Sequence, residues 1–174
     1  MTLHLYLVGY RGTGKTTVGR LVAKALGWPF VDLDERIEEV AGRSIATIFA
    51  EEEEAGFRNR ESGALMEIRS QSVISTGGGV VLRTENREHI KNTGLVVWLQ
   101  AGAETIWARM QADATTAGRR PNLAGGGLAE IIELVAARER FYQDVSEAPL
   151  NTDDTSPEAL AATILTMIDF SPSD

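Results

Sequence analysis

Polar and apolar positions follow two rhythms along the chain. Residues 3–8 form an apolar run of strand length closed by Gly9. Over residues 15–26, Val18, Leu21, Val22 and Ala25 fall at i, i+3, i+4 and i+7, the stripe of an amphipathic helix. The pattern predicts strand, glycine-rich turn, helix. Gly27-Trp28-Pro29 ends that helix, and Phe30-Val31-Asp32-Leu33-Asp34 reads as a short strand whose end carries two carboxylates. Helical segments follow over 35–41 and 44–68, then a strand over 73–76 before three glycines. Residues 95–99 are apolar enough for a strand buried on both faces. Further helices are expected over 84–92, 103–110, 128–144 and 156–168, with a last short strand over 150–152.

Strands alternating with helices imply an α/β doubly wound sheet, whose ligands bind outside the carboxyl ends of the strands. Gly9, Asp32, Asp34 and Gly77 all fall at such ends. No repeat or linker divides the 174 residues, a length suited to one domain. The weakly patterned stretch 111–127, with Arg119-Arg120-Pro121 and Gly125-Gly126-Gly127, reads as a long mobile loop of the kind that serves as a lid.

A composition 43% hydrophobic and 24% charged is that of a globular protein and excludes a disordered chain. No apolar run approaches the roughly 18 residues of a membrane-spanning helix, and the first residues carry no basic segment of a signal peptide, so a cytoplasmic protein is expected. The absence of cysteine excludes disulfides and thiolate sites, and with only His4 and His89 any metal should be oxygen-ligated. A net charge of −8 argues against nucleic acid or an anionic membrane as partner, and leaves an anionic ligand dependent on a local basic pocket.

Gly9-Tyr10-Arg11-Gly12-Thr13-Gly14-Lys15-Thr16 fits G-x-x-x-x-G-K-[ST], with the strand before it and the helix after it that a P-loop requires. Glycines let backbone N–H groups curl around phosphate oxygens, the helix N-terminus adds positive potential, Lys15 reaches the β- and γ-phosphates and the Thr16 hydroxyl ligates Mg²⁺. Asp32 and Asp34, two apart on a strand, would share one face. One would hold Mg²⁺ through its waters and the other accept a proton or hydrogen bond from an acceptor hydroxyl. The alternative is that they are helix-capping or solvated acids, with Asp34 the N-cap of 35–41. Thr76-Gly77-Gly78-Gly79 lets backbone approach a ligand closely and is read as the floor of the acceptor site. Isolated arginines are ordinarily solvated, but an acidic protein that binds a polyphosphate needs several converging, and Arg58, Arg120 and Arg138 are the candidates. The run Glu51 to Glu54 reads as a solvated helix face.

The P-loop continuing into Val18-Gly19-Arg20, then Asp32-Leu33-Asp34, Gly42-Arg43-Ser44-Ile45, Phe57-Arg58 with Glu61, Thr76-Gly77-Gly78-Gly79, Arg120-Pro121 and Arg138 with Tyr142, resembles the shikimate kinases over nearly the whole chain. The resemblance implies a P-loop, NMP-kinase-like three-layer fold with a parallel five-stranded sheet, a lid over 111–127 and a shikimate-binding helical region over 34–61. It implies a monomer that transfers the γ-phosphoryl of ATP, with one Mg²⁺, to the 3-hydroxyl of shikimate in aromatic amino-acid biosynthesis. By the same resemblance Lys15, Asp34 and Arg120 are catalytic. Gly12, Thr13, Gly14, Lys15, Thr16 and Thr17 hold ATP together with Arg109, Arg120 and the segment 151–157 near adenine. Asp34, Arg58, Gly78, Gly79 and Arg138 hold shikimate, the two arginines on its carboxylate, and Thr16 and Asp32 lie on the metal side. Two places depart from the family pattern: Glu53-Glu54 stands where Gly-Glu is usual, and Asn122-Leu123 where two leucines are usual. The alternatives are a related small-molecule kinase acting on gluconate, and a nucleotide-binding domain without catalysis. The presence of Lys15, Asp34 and Arg120 speaks against the second.

Overall fold

A computed structural model describes residues 4–113, 127–147 and 149–169. In chain order it runs β1 (His4–Val8), α1 (Lys15–Leu26), β2 (Phe30–Asp32), α2 (Leu33–Ala41), α3 (Ile45–Met66), β3 (Val73–Ser75), a 3₁₀ turn (Val80–Leu82), α4 (Thr84–Thr93), β4 (Gly94–Gln100), α5 (Ala103–Ala112), α6 (Gly127–Val145), β5 (Pro149–Asn151) and α7 (Pro157–Asp169). The five strands form one parallel sheet in the order β2-β3-β1-β4-β5.

All five residues of β1 are buried, because its alternate side chains feed two cores. Leu5 and Leu7 join Val97 and Leu99 of β4 under α1 and α7, where Val18, Val22, Leu160 and Ile164 close the layer. Tyr6 and Val8 join Val96 and Trp98 on the opposite face against Leu33, Ile37, Ile48, Phe57 and Tyr142. The chain moves outward from β1 to β3 and β2 on one side and to β4 and β5 on the other. The crevice beyond the carboxyl end of β1 is therefore where the connections diverge and a ligand can enter. Among the described residues no helix is long and apolar enough to cross a membrane.

Most element ends fall within one or two residues of the sequence expectation, and two differences bear on the site. The second strand stops at Asp32 and not at Asp34, because the Asp32 carboxylate accepts from the backbone N–H groups of Asp34 (3.0 Å) and Glu35 (3.4 Å) and caps α2. Asp32, not Asp34, is thus the N-cap, and the two acids do not share a strand face. The segment 44–68 is a helix broken at Glu53, where φ is 57° and ψ −170°, a backbone region occupied almost only by glycine. Glu53 is the only non-glycine with positive φ among the described residues. The run Glu51 to Glu54 is therefore not a plain solvated face. Arg43 bonds both Glu51 and Glu52, Arg60 reaches Glu52 at 2.7 and 2.8 Å, and Glu54 pairs with Arg58 at 3.3 Å.

Glu53→Gly should relieve this backbone and raise stability by about 1 kcal/mol, or about 2–4 °C in Tm. A thermal melt that shows the variant equal to or below the parent would mean that the kink costs nothing.

His4, 4% exposed, opens β1. Burial lowers its pKa and the charge of His89 lowers it further, while burial and then Arg69 lower that of His89. The folded chain therefore prefers neutral imidazoles, whereas the unfolded chain takes up protons near pH 6.5. This stabilisation is complete above that pH and is lost as pH falls toward the lower folded values. Tm should drop between pH 7 and 5, and less steeply in His89→Gln. Equal slopes would assign the acid loss to other groups.

Candidate active site

The loop between β1 and α1 is shaped by three glycines with positive φ: Gly9 at 142°, Gly12 at 77° and Gly14 at 92°. At Gly9 the requirement is also spatial, since a Cβ there would collide with the Leu99 carbonyl of β4. Gly14 caps α1, whose first N–H groups have no helical partner and so present donors and a positive dipole end to the cleft. The Thr13 side chain is spent inside the loop: its hydroxyl donates to the Tyr10 carbonyl at 2.8 Å and the residue is 1% exposed. Its contribution to a ligand is confined to its backbone. Lys15 is buried, and Nζ donates to the carbonyls of Gly9 (2.9 Å) and Tyr10 (2.7 Å).

Asp32 faces this loop across the sheet edge. While one carboxylate oxygen caps α2, the other accepts from the Thr16 hydroxyl at 3.1 Å. A single side chain thus ties the start of α1 to the start of α2. The Thr16 hydroxyl and the Asp32 carboxylate put two hard oxygen donors side by side in an open cleft, a donor set that suits Mg²⁺ completed by water and phosphate oxygens.

The cleft encloses about 370 Å³. It brings together Gly12, Gly14, Lys15, Thr16 and Thr17 from the P-loop, Asp32 and Asp34 from the second strand and helix, Gly77 and Gly78 from the glycine loop, and Arg109 from α5. Arg58, Gly79 and Arg138 do not line it. Arg58 packs against Gly79 of the same loop, and Arg138 lies over the ring of Tyr10, whose Cα neighbours Gly78. A Cβ on Gly79 would collide with the Arg58 guanidinium, so the glycine makes room for the arginine. None of Gly77, Gly78 and Gly79 has positive φ, and at Gly79 it is the close approach of Arg58 and not backbone freedom that calls for glycine.

Arg58 is buried with Glu61, its Nη1 donating to Glu61 Oε2 at 2.7 Å. Burial disfavours its charge, but Glu61 and, more weakly, Glu54 outweigh that and hold the guanidinium pKa above its ordinary value. Arg138 lies over the Tyr10 ring at 5.5 Å from the centroid. Arg109 bridges two loops, donating to the Gly12 carbonyl (3.2 Å) and to the Thr152 carbonyl (2.7 Å) and hydroxyl (3.0 Å). Asp153 holds the other end of α5 by accepting from the Gly102 N–H, the main cause of its lowered pKa. Arg120 and most of the expected lid lie outside the described residues; of the stretch 111–127, Gln111 and Ala112 belong to α5 and Gly127 begins α6.

Sequence reasoning missed Arg11, Ser75, Met110 and Asp113 as lining residues, and it named Glu61 beside Arg58 without foreseeing their ion pair. Only Glu61 carried a signal, its i+3 spacing from Arg58 on a helix.

The shikimate kinase family profile matches residues 11–169. A shikimate kinase of Rhodopirellula baltica is 46% identical over 165 residues, covering 93% of this chain and 88% of that protein. The solved structure of shikimate kinase from Acinetobacter baumannii in complex with shikimate superposes with a TM-score of 0.90 at 37% identity, over 99% of this chain and 97% of that one. A gluconokinase from Sinorhizobium meliloti, with a TM-score of 0.54 and 15% identity over 98% of each chain, shares the fold alone. The chain belongs to the shikimate kinase family of ATP-dependent kinases, with the NMP-kinase-like fold of that family.

Proposed function

We propose that the chain, acting as a single monomeric domain, transfers the γ-phosphoryl of ATP to the 3-hydroxyl of shikimate. The observation that carries this reading is one cleft in which the P-loop Lys15 and Thr16 face Asp32 and Asp34 across the Gly77-Gly78 wall, with two arginines set around that wall. Phosphoryl transfer asks a protein chiefly to position two substrates and to stabilise spreading negative charge. The N–H groups of Gly12, Thr13, Gly14, Lys15, Thr16 and Thr17 bind the polyphosphate, and the Lys15 ammonium exchanges its two loop carbonyls for phosphate oxygens. Thr16 and Asp32 would hold Mg²⁺, which when bound neutralises phosphate charge. Asp34, at the start of α2 in the cleft, orients the acceptor hydroxyl and accepts its proton. Arg58 and Arg138 grip the acceptor carboxylate beside Gly78 and Gly79, and Arg109 with the segment after β5 borders the adenine side. The resemblance assigns Arg120 a further cationic contact to the phosphates.

An ADP-release assay across shikimate, gluconate and nucleoside monophosphates tests the reading. Turnover confined to shikimate supports it, and turnover of gluconate or nucleoside monophosphates without shikimate would replace it.

A further inference from the structure

Tyr142 has no part in the roles assigned so far, yet it is among the most enclosed side chains. The residue is 1% exposed, its ring stacks on Trp98 of β4 with centroids 5.6 Å apart, and its hydroxyl donates to the Gly78 carbonyl at 2.5 Å. It follows Arg138 by four positions on α6, so the two side chains share one helix face. A phenol has one proton. With that proton committed to Gly78, the oxygen has only acceptor capacity left to offer the Arg138 guanidinium one turn back on the same helix face, and the guanidinium charge acts on the phenol. Burial pushes the Tyr142 phenol well above its ordinary pKa, so it stays a neutral donor to Gly78 throughout the working pH range. The same guanidinium lies over the ring of Tyr10, itself 2% exposed.

We propose that Tyr10 and Tyr142 are positioning residues that flank Arg138 on two sides, setting the guanidinium fork for the acceptor's carboxylate before the acceptor arrives. The proposal rests on the acceptor-site reading above. A solvated arginine loses rotamer freedom when it binds, whereas one held on two sides has lost it already on folding, so more of the contact appears as affinity. Because the same phenol fixes the Gly78 carbonyl, the arginine fork and the glycine wall keep one geometry. Tyr10 also belongs to the P-loop, its carbonyl accepting from Lys15, which sets the two substrate sites on a common support.

Tyr142→Phe keeps the ring and its stacking and deletes only the hydroxyl. We expect the KM for shikimate to rise about tenfold, with kcat at saturating shikimate and the KM for ATP within about twofold of the parent. Tyr10→Leu removes the platform and should raise the KM for shikimate about threefold or more, again with little change for ATP. In an Arg138→Ala background each tyrosine change should add much less to the KM for shikimate than it does in the parent, because the arginine they position is gone and only the Gly78 contact of Tyr142 remains to be lost. A merely structural role would carry its penalty into that background, so additive effects overturn the proposal. An unchanged KM for shikimate in both tyrosine variants, while Arg138→Ala raises it, overturns the proposal and leaves the acceptor-site reading standing. A parental KM in Arg138→Ala overturns that reading and the proposal with it. Should Tyr142→Phe fail to fold, Tyr10→Leu and its cycle with Arg138→Ala decide by the same criteria.

Discussion

Lys15→Met is expected to lower kcat by about 10³-fold or more and to cost only a few degrees of Tm. Of the two P-loop cations that line the cleft, Arg11 and Lys15, the proposed reading gives the polyphosphate to Lys15, and methionine keeps the length of its stem while deleting the charge. Lys15 also contributes to stability. A loop lysine would ordinarily be exposed, but Lys15 is 8% exposed and donates to the carbonyls of Gly9 and Tyr10. Its removal takes a charged donor from two carbonyl oxygens at the edge of a cleft that water enters, a loss of about 1–3 kcal/mol. Circular dichroism and a melt measure the second effect, and single-turnover kinetics with saturating ATP the first. A folded variant that turns over near the parental rate would remove Lys15 from the chemistry, and a variant that does not fold would show that those two bonds support the whole loop.

The sequence made the P-loop legible because three kinds of information coincided there: the apolar run of β1, the spacing of the motif and the amphipathic stripe of α1, whose observed bounds match the expected ones. It also fixed the two-sided burial of β4, since a run of apolar residues without alternation has no other use in a sheet. The pair Asp32 and Asp34 was found but placed on the wrong element. Apolar Leu33 suits a strand as well as the first helical position, and the cap that decides between them depends on one carboxylate reaching two N–H groups. The run of four glutamates was misread for a different reason. Arg43 and Arg60 lie eight or nine residues from their partners, beyond ordinary i+3 or i+4 helical pairing: Arg43 reaches Glu51 and Glu52 from the turn before α3, and Arg60 reaches Glu52 across the break at Glu53. The departure at that position was visible as a glutamate in place of glycine; its consequence, a glutamate held in a glycine backbone, needed the structure. Burial was the least legible quantity. Nothing in Phe57-Arg58 announces that the arginine is 7% exposed and paired with a carboxylate that is wholly buried.

That burial separates the two arginines proposed to hold the acceptor. Arg138 is partly exposed, so Arg138→Ala should lose acceptor affinity by about 10- to 150-fold with little change in Tm, the ordinary result of removing one charge-assisted contact. Arg58→Ala should lose acceptor affinity by a similar factor and also lose stability. Its Nη1 bonds Glu61, which is 0% exposed, whereas its other partner Glu54 has a side chain 67% exposed and can turn to water. Deleting one member of a buried ion pair strands the other, which costs about 3–5 kcal/mol, a large share of the roughly 5–15 kcal/mol by which a domain is stable. The loss corresponds to a fall of about 6–20 °C in Tm for a chain of this size. The two consequences can be separated by changing Glu61 as well. Arg58→Ala with Glu61→Gln removes the stranded charge, so it should recover a large part of the lost Tm and none of the lost shikimate affinity. A melt of Arg58→Ala that coincides with the parent would show that Glu61 is not dependent on the arginine. Parental shikimate affinity in the double variant would show that Arg58 supports the α3 helix and never touches the acceptor.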